Sequence, residues 1–196
     1  MGRLVSILGA VAALMLAARV ETFTQSTDEI SPAAWAQADE ATVRVSANDF
    51  PDVPPAIVAE LNRRGCLIPQ TYTTDQPHNI IKGRFTSGAA TDRAVLCSRD
   101  RVSSLLVFRN GLTDSVIELE EDPDRNWLQG IGEGRIGFSR FIGVASPAYI
   151  VEHYERYGGQ QPPPLDHDGI DHAFTEKGST VLYWHEGRWL RLAGAD

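Results

Sequence analysis

The sequence predicts an α+β domain that consists mainly of antiparallel β-sheet with two short helices. Short runs rich in β-branched, aromatic and other apolar residues recur about every ten to thirteen residues along much of the chain, with turn residues between them. This spacing is typical of antiparallel strands joined by tight turns. Two other segments have apolar residues at helical spacing after an initial proline, and a glycine follows each of them.

The first helix is predicted from Pro54 to Arg64, with Gly65 just past its end. Cys66 then opens an extended apolar run, and Cys97 follows 31 residues later in a predicted strand. We expect Cys66 and Cys97 to form a disulfide if the chain is exported, because oxidising compartments favour disulfide formation. The alternative is a pair of buried free thiols.

The remaining elements follow in order to the end of the chain. Asn110-Gly111 is the strongest hairpin signal, and the second helix is predicted over residues 147–157. A proline-rich break at 160–165 is expected to separate the main sheet from a C-terminal unit of three strands that ends in a hairpin, because proline cannot donate ladder hydrogen bonds. The predicted strands are residues 79–85, 92–98, 104–108, 115–119, 138–145, 170–176, 180–184 and 189–192.

The N-terminal region predicts export. Arg3 precedes the fifteen-residue apolar run 4–18, which is typical of a signal peptide and short for a bilayer-spanning helix. Residues 1–20 are therefore predicted to be a signal peptide or a short membrane anchor. Small-x-small cleavage motifs occur only later, within residues 34–38. Residues 21–50 are predicted to be a flexible tether and 51–196 a single globular domain, placed in the periplasm or outside the cell.

The charge balance argues against nucleic acid as a partner. The chain has 18 Lys and Arg against 26 Asp and Glu, a net charge of −8. The basic residues are scattered instead of forming a stripe that could follow a phosphate backbone. The predicted partner is a protein or a glycan.

Residues 166–172 (DHDGIDH) form the densest polar cluster of the sequence. Asp166, Asp168 and Asp171 lie within six residues of one another, and such carboxylates must face water or be neutralised. Oxygen ligands in a short loop favour a hard cation. The sequence therefore predicts either no cofactor or a weakly bound calcium ion at these three residues, and no catalytic residue.

The same turn resembles a known repeat. Residues 168–174 (DGIDHAF) are similar to the Asp-Gly-x-Asp-Asp-Leu-x-Val core of the FG-GAP and VCBS-type repeats of extracellular β-propellers. Residues 83–85 (GRF) with residues 92–96 (DRAVL) resemble the opening of the same repeat, although Arg84 and Thr86 replace its acidic ligands. The resemblance covers about 25 residues and implies a shared hairpin style, since the chain is too short for a whole propeller.

Three functional hypotheses follow. The first is an exported, non-catalytic envelope or extracellular domain that binds a partner or has an accessory role. The second is a metal-dependent hydrolase built on residues 166–172, with a distant ligand such as His153 or Glu176. The third is an inhibitor or accessory protein of a secreted enzyme that inserts the glycine-rich loop 130–137 into a partner.

Overall fold

The computed structural model describes residues 31–194, and the predicted signal peptide or anchor, residues 1–20, lies outside this range. The described chain forms three α-helices and twelve β-strands. Antiparallel sheet dominates, as predicted, but three helices replace the two expected. The helices are α1 (Pro32–Ala41), α2 (Pro55–Arg63) and α3 (Pro147–Tyr157).

The strands form three sheets in which every pairing is antiparallel. The strands are β1 (Arg44–Ser46), β2 (Leu67–Pro69), β3 (Ile80–Gly83), β4 (Asp92–Arg99), β5 (Val102–Phe108), β6 (Ile117–Pro123), β7 (Leu128–Gly130), β8 (Ile136–Phe138), β9 (Arg140–Ala145), β10 (Gly169–Phe174), β11 (Gly178–His185) and β12 (Arg188–Ala193). The first sheet has the order β1-β2-β4-β5-β6, with β3 also paired to β4. The second sheet has the order β12-β11-β10-β9, and β7 and β8 form a separate hairpin.

The two large sheets pack face to face, with one helix on each outer face. Alternate residues of a strand point to opposite faces, so each central strand contributes to two cores. Ile57 and Leu61 of α2 pack with Val95 and Leu106 on the outer face of the first sheet. Between the sheets, a second cluster joins Leu96 and Leu105 to Ile142, Ile170 and Leu182. A third cluster packs Ile150 of α3 on Val181, Tyr183 and Leu192.

The predicted disulfide is confirmed. Cys66 and Cys97 are bonded and buried, and they join the residue before β2 to the centre of β4. The two cysteines are 31 residues apart in the sequence. Closing a loop of this length restricts the unfolded chain, and the loss of chain entropy stabilises the fold by about 3 to 4 kcal/mol.

The predicted tether is wrong for residues 31–50, which belong to the folded domain. Trp35 and Ala38 of α1 pack on the cluster between the sheets. Arg44 donates to Asp124 from Nε at 3.0 Å and from Nη2 at 2.7 Å. The Asp124 carboxylate is fully buried and also accepts hydrogen bonds from the Ser98 and Ser103 hydroxyls.

A buried ion pair of this kind cannot be read from local composition, because Arg44 and Asp124 are 80 residues apart. The small-x-small motifs at residues 34–38 lie inside α1, so cleavage there would cut this helix. Residues 21–30, the rest of the predicted tether, lie outside the described range.

The proline-rich break does not separate two units. Residues 158–168 form no helix or strand, as predicted, but β9 before the break pairs with β10 after it along six registered residues. Tight packing requires glycine at the start of β10, because a Cβ at Gly169 would stand 2.7 Å from the Leu182 carbonyl oxygen. The C-terminal strands therefore complete the second sheet.

Within residues 31–194, no helix has the length and apolar character needed to cross a membrane.

Candidate functional site

The acidic turn is held by hydrogen bonds to the end of β3. Asp168 Oδ2 accepts from the Arg84 backbone amide at 3.0 Å, and the Asp168 amide donates to the Arg84 carbonyl at 2.9 Å. The Arg84 guanidinium lies 3.4 Å from Asp168 Oδ1. The two segments that resemble the propeller repeat are therefore neighbours in space, and an arginine stands beside the carboxylate that a cation would need.

The three predicted metal ligands are not brought together. Asp166 lies against Gly88, since a Cβ added to Gly88 would stand 2.8 Å from Asp166 Oδ2. Asp171 instead lies beside Tyr149 and His153 of α3. Across residues 31–194, no group of three or more His, Cys, Asp or Glu side chains is placed to hold a metal ion. These residues are close along the chain, but Asp166 and Asp168 lie in the turn before β10, whereas Asp171 lies within that strand. Both alternatives for this turn, no cofactor and a weakly bound calcium ion, stay predictions.

The histidines near the predicted hydrolase site and elsewhere in residues 31–194 are spread over the molecule. His167 is buried, and its Nδ1 donates to the Asp168 carbonyl at 3.0 Å. His153 lies on α3, and His185 lies beside Glu186 at the β11–β12 turn. His172 faces the space between the sheets, and Glu176 accepts a hydrogen bond from the Tyr72 hydroxyl at 2.7 Å. These side chains do not converge on one point.

A fully buried arginine lies at the centre of the most structured polar cluster. Arg140 of β9 donates from Nε to His172 Nε2 at 2.9 Å and from Nη1 to the Ser103 carbonyl at 2.6 Å, and its Nη2 donates to the Glu120 carbonyl. The β5–β6 register shifts between Ser103 and Leu105, and Glu120 has a φ of 54° at this bulge. Arg140 therefore crosses from the second sheet and satisfies carbonyl groups at the bulge of the first.

Burial changes the protonation of this cluster. Burial lowers the pKa of Arg140 to about 10, against the opposing effect of Asp122 and other nearby carboxylates, so the guanidinium stays charged at neutral pH. Burial and the adjacent positive charges of Arg140 and Arg191 lower the pKa of His172 to about 3. His172 is therefore neutral, and its Nε2 lone pair is used by Arg140.

A cleft of about 580 Å³ opens beside this cluster, at the edge of the sandwich between β6 and the second sheet. Its aromatic side is Trp127, whose ring centroid lies 4.9 Å from that of His172 and 5.5 Å from that of Phe174. Glu120 of β6 and Arg191 of β12 form an ion pair at 3.4 Å and link the two sheets at its rim. The polar lining also includes Glu176, Lys177, Ser179 and Thr180.

No sequence motif pointed to Arg140, Trp127 or Arg191 as functional residues. One sequence signal for Arg140 was present. Arg140 lies two residues before the core residue Ile142 and therefore faces the same side of the strand, and it is the only charged residue in the run 138–145. A charged residue at a core-facing position requires buried partners. The partners lie on strands remote in sequence, so the signal indicates a buried arginine without identifying its contacts.

Two other features have structural roles. Trp184 and Trp189 are directly paired across β11 and β12, with ring centroids 5.8 Å apart, whereas Tyr183 faces α3. The glycine-rich loop 130–137, which the inhibitor hypothesis inserts into a partner, contains the connection of the β7–β8 hairpin.

Comparison with known proteins adds no identification, because no protein family, no curated protein and no solved structure matches the chain.

Proposed function

We propose that the protein is an exported, non-catalytic binding domain whose ligand occupies the cleft beside Trp127. The observation that carries the proposal is the cleft itself, which combines an aromatic wall with a charged and hydroxyl-bearing rim. Its volume of about 580 Å³ lies in the range typical of small-molecule sites. A short glycan suits this lining, because a sugar ring presents an apolar face to an aromatic ring and hydroxyl groups to polar side chains.

The adjacent polar cluster supports binding over catalysis. A general base needs a lone pair within reach of substrate and a pKa near the working pH, but His172 Nε2 accepts from Arg140 and its pKa is lowered to about 3. Each nitrogen of the Arg140 guanidinium donates to a group of the protein itself. A metal-dependent hydrolase is therefore less well supported than a binding domain in which this cluster forms a rigid wall of the cleft.

Export is proposed from the N-terminal sequence and is consistent with the Cys66–Cys97 disulfide. Fractionation of cells that produce the full chain tests it. The protein is expected outside the cytoplasm, and deletion of residues 1–20 should leave it in the cytoplasm. An unchanged location after deletion would contradict export by this segment.

Binding is tested by a fragment screen that uses ligand-observed NMR with short oligosaccharides and small aromatic acids. At least one fragment should bind and shift the Trp127 indole resonance. Thr180→Trp places a large ring in the cleft and should abolish this binding, whereas Thr91→Trp, at an exposed position elsewhere, should leave it intact. Fragments that bind wild type and Thr180→Trp equally, or a Trp127 signal that no fragment shifts, would refute the assignment.

A further inference from the structure

A second groove, here called the α3 groove, lies on the opposite face of β10 from the cleft. It has a volume of about 330 Å³ and is bounded by α3 on one side and the β10–β11 hairpin on the other. Asp171, His153, Tyr149 and Tyr157 all line it. Because successive strand residues face opposite ways, Asp171 faces this groove while His172 faces the cleft.

Two polar side chains in this groove have atoms without hydrogen-bond partners. His153 is 3% exposed, and its Nε2 is buried and unpaired. Asp171 Oδ1 is also buried and unpaired. An unpaired buried polar atom costs free energy. The Asp171 oxygen would therefore gain from a ligand that supplies a hydrogen-bond donor, and His153 Nε2 would gain from a donor or an acceptor according to its tautomer.

Asp171 differs from the other charged residues that line the groove, because those residues have partners of their own. Arg156 pairs with Glu152 at 2.7 Å, and Glu176 accepts from Tyr72. The Lys177 ammonium lies 4.5 Å from the centroid of the Phe174 ring. No ion pair within residues 31–194 involves Asp171, so its carboxylate can accept a hydrogen bond from a cation.

The walls of the groove suit an organic cation. Tyr149 and Tyr157 are 38% and 44% exposed, although large aromatic residues on a helix usually pack in a core. Their ring centroids lie 6.0 Å and 4.9 Å from that of His153. Aromatic faces next to a carboxylate attract cations by their quadrupole and by charge. A metal ion fits less well, because the described residues contain no group of three metal-ligating side chains.

We propose that the α3 groove binds a primary alkylammonium group, anchored by Asp171 and flanked by Tyr149 and Tyr157. An ammonium is favoured over a guanidinium because one buried oxygen of Asp171, Oδ1, lacks a partner. A guanidinium binds best through two parallel hydrogen bonds to both carboxylate oxygens. A single open oxygen suits the compact charge of an ammonium.

Histidine NMR of the wild-type protein provides the primary test. The chain has five histidines, so His185, at the remote β11–β12 turn, serves as an internal control. Butylammonium chloride should shift the His153 ring signals saturably and leave those of His185 unchanged. Methylguanidinium chloride should act more weakly, and sodium chloride at the same ionic strength should have no effect. His153 ring signals that do not shift with butylammonium chloride, or that shift equally with sodium chloride, would overturn the proposal.

Two matched carboxylate variants test the anchor. Asp171→Asn preserves the size of the side chain and should weaken butylammonium binding by about tenfold or more, the loss expected for one charged hydrogen bond. Asp166→Asn, in the same acidic turn, should bind as wild type does. Equal affinity of Asp171→Asn and wild type would overturn the proposal.

The source of the ammonium is distinguished by a second probe, the peptide acetyl-Gly-Lys-Gly-amide. Binding of the peptide at least as tight as that of butylammonium supports a lysine side chain of a protein partner. Binding of butylammonium alone supports a small free amine. Thr180→Trp, which fills the cleft beside Trp127, should leave the binding of butylammonium and of the peptide unchanged. The cleft assignment and the α3 groove assignment can therefore fail independently.

Discussion

The ion pair between Arg44 and Asp124 is expected to hold the N-terminal segment on the sandwich. Asp124→Asn removes the negative charge and keeps the shape of the side chain. Arg44 would then lose two charged hydrogen bonds, at 3.0 and 2.7 Å, while its own side chain is only 11% exposed. The Ser98 and Ser103 hydroxyls would face an amide in place of a carboxylate.

Removal of one member of a buried ion pair typically costs about 3 to 5 kcal/mol, because the other charge stays buried without its partner. Arg44 retains Asp39 Oδ1 at 3.1 Å and two backbone carbonyls, so the lower end, about 3 kcal/mol, is expected. For a domain of this size that loss lowers Tm by about 6 to 12 °C.

Thermal and urea denaturation followed by circular dichroism measure this loss, with Asp75→Asn at an exposed position as the control. Limited proteolysis gives a local reading, since residues 31–46 should become the first cleavage site in Asp124→Asn. A loss below about 1 kcal/mol, the size typical of a surface ion pair, together with an unchanged cleavage pattern, would refute the argument.

Three further outcomes are expected. Reduction of the Cys66–Cys97 disulfide should lower the free energy of unfolding by about 3 to 4 kcal/mol, measured by urea denaturation with and without reductant; an equal midpoint in both would contradict the estimate. His172 has a pKa of about 3 in the fold and an ordinary value of 6.5 when unfolded. The unfolded chain therefore binds the proton first, so the contribution of His172 to stability is complete above about pH 6.5 and falls as the pH drops towards 3; His172→Gln should flatten that part of the stability-against-pH curve, and an unaltered curve would exclude this contribution. Calcium should leave Tm unchanged relative to chelator, because Asp168 is hydrogen-bonded to Arg84 and the other two carboxylates lie apart; a reproducible rise would restore the calcium site.

Local sequence patterns determined much of the fold. Pro147 at the start of α3 and Gly158 after its end mark the helix boundaries that the structure shows, because proline and glycine act on the backbone of their own segment. Strands β4, β5 and β11 were predicted within about two residues of their observed ends, since apolar runs between turn residues need only local information. The Cys66–Cys97 pairing followed from there being two cysteines in a chain whose N-terminal sequence predicts export.

The tertiary structure alone decided what those segments contact. Residues 31–50 have the composition of a tether, yet Arg44 reaches a carboxylate 80 residues away and the segment joins the domain. Asp168 and Asp171 belong to one acidic cluster in sequence, but Asp168, in the turn before β10, accepts a hydrogen bond from Arg84, whereas Asp171, within β10, lines the α3 groove. Arg140 meets Ser103, Glu120 and His172 only where two sheets pack. Local patterns specify helices and strands because their causes act within a few residues, whereas these contacts depend on register and packing between segments that the sequence leaves far apart.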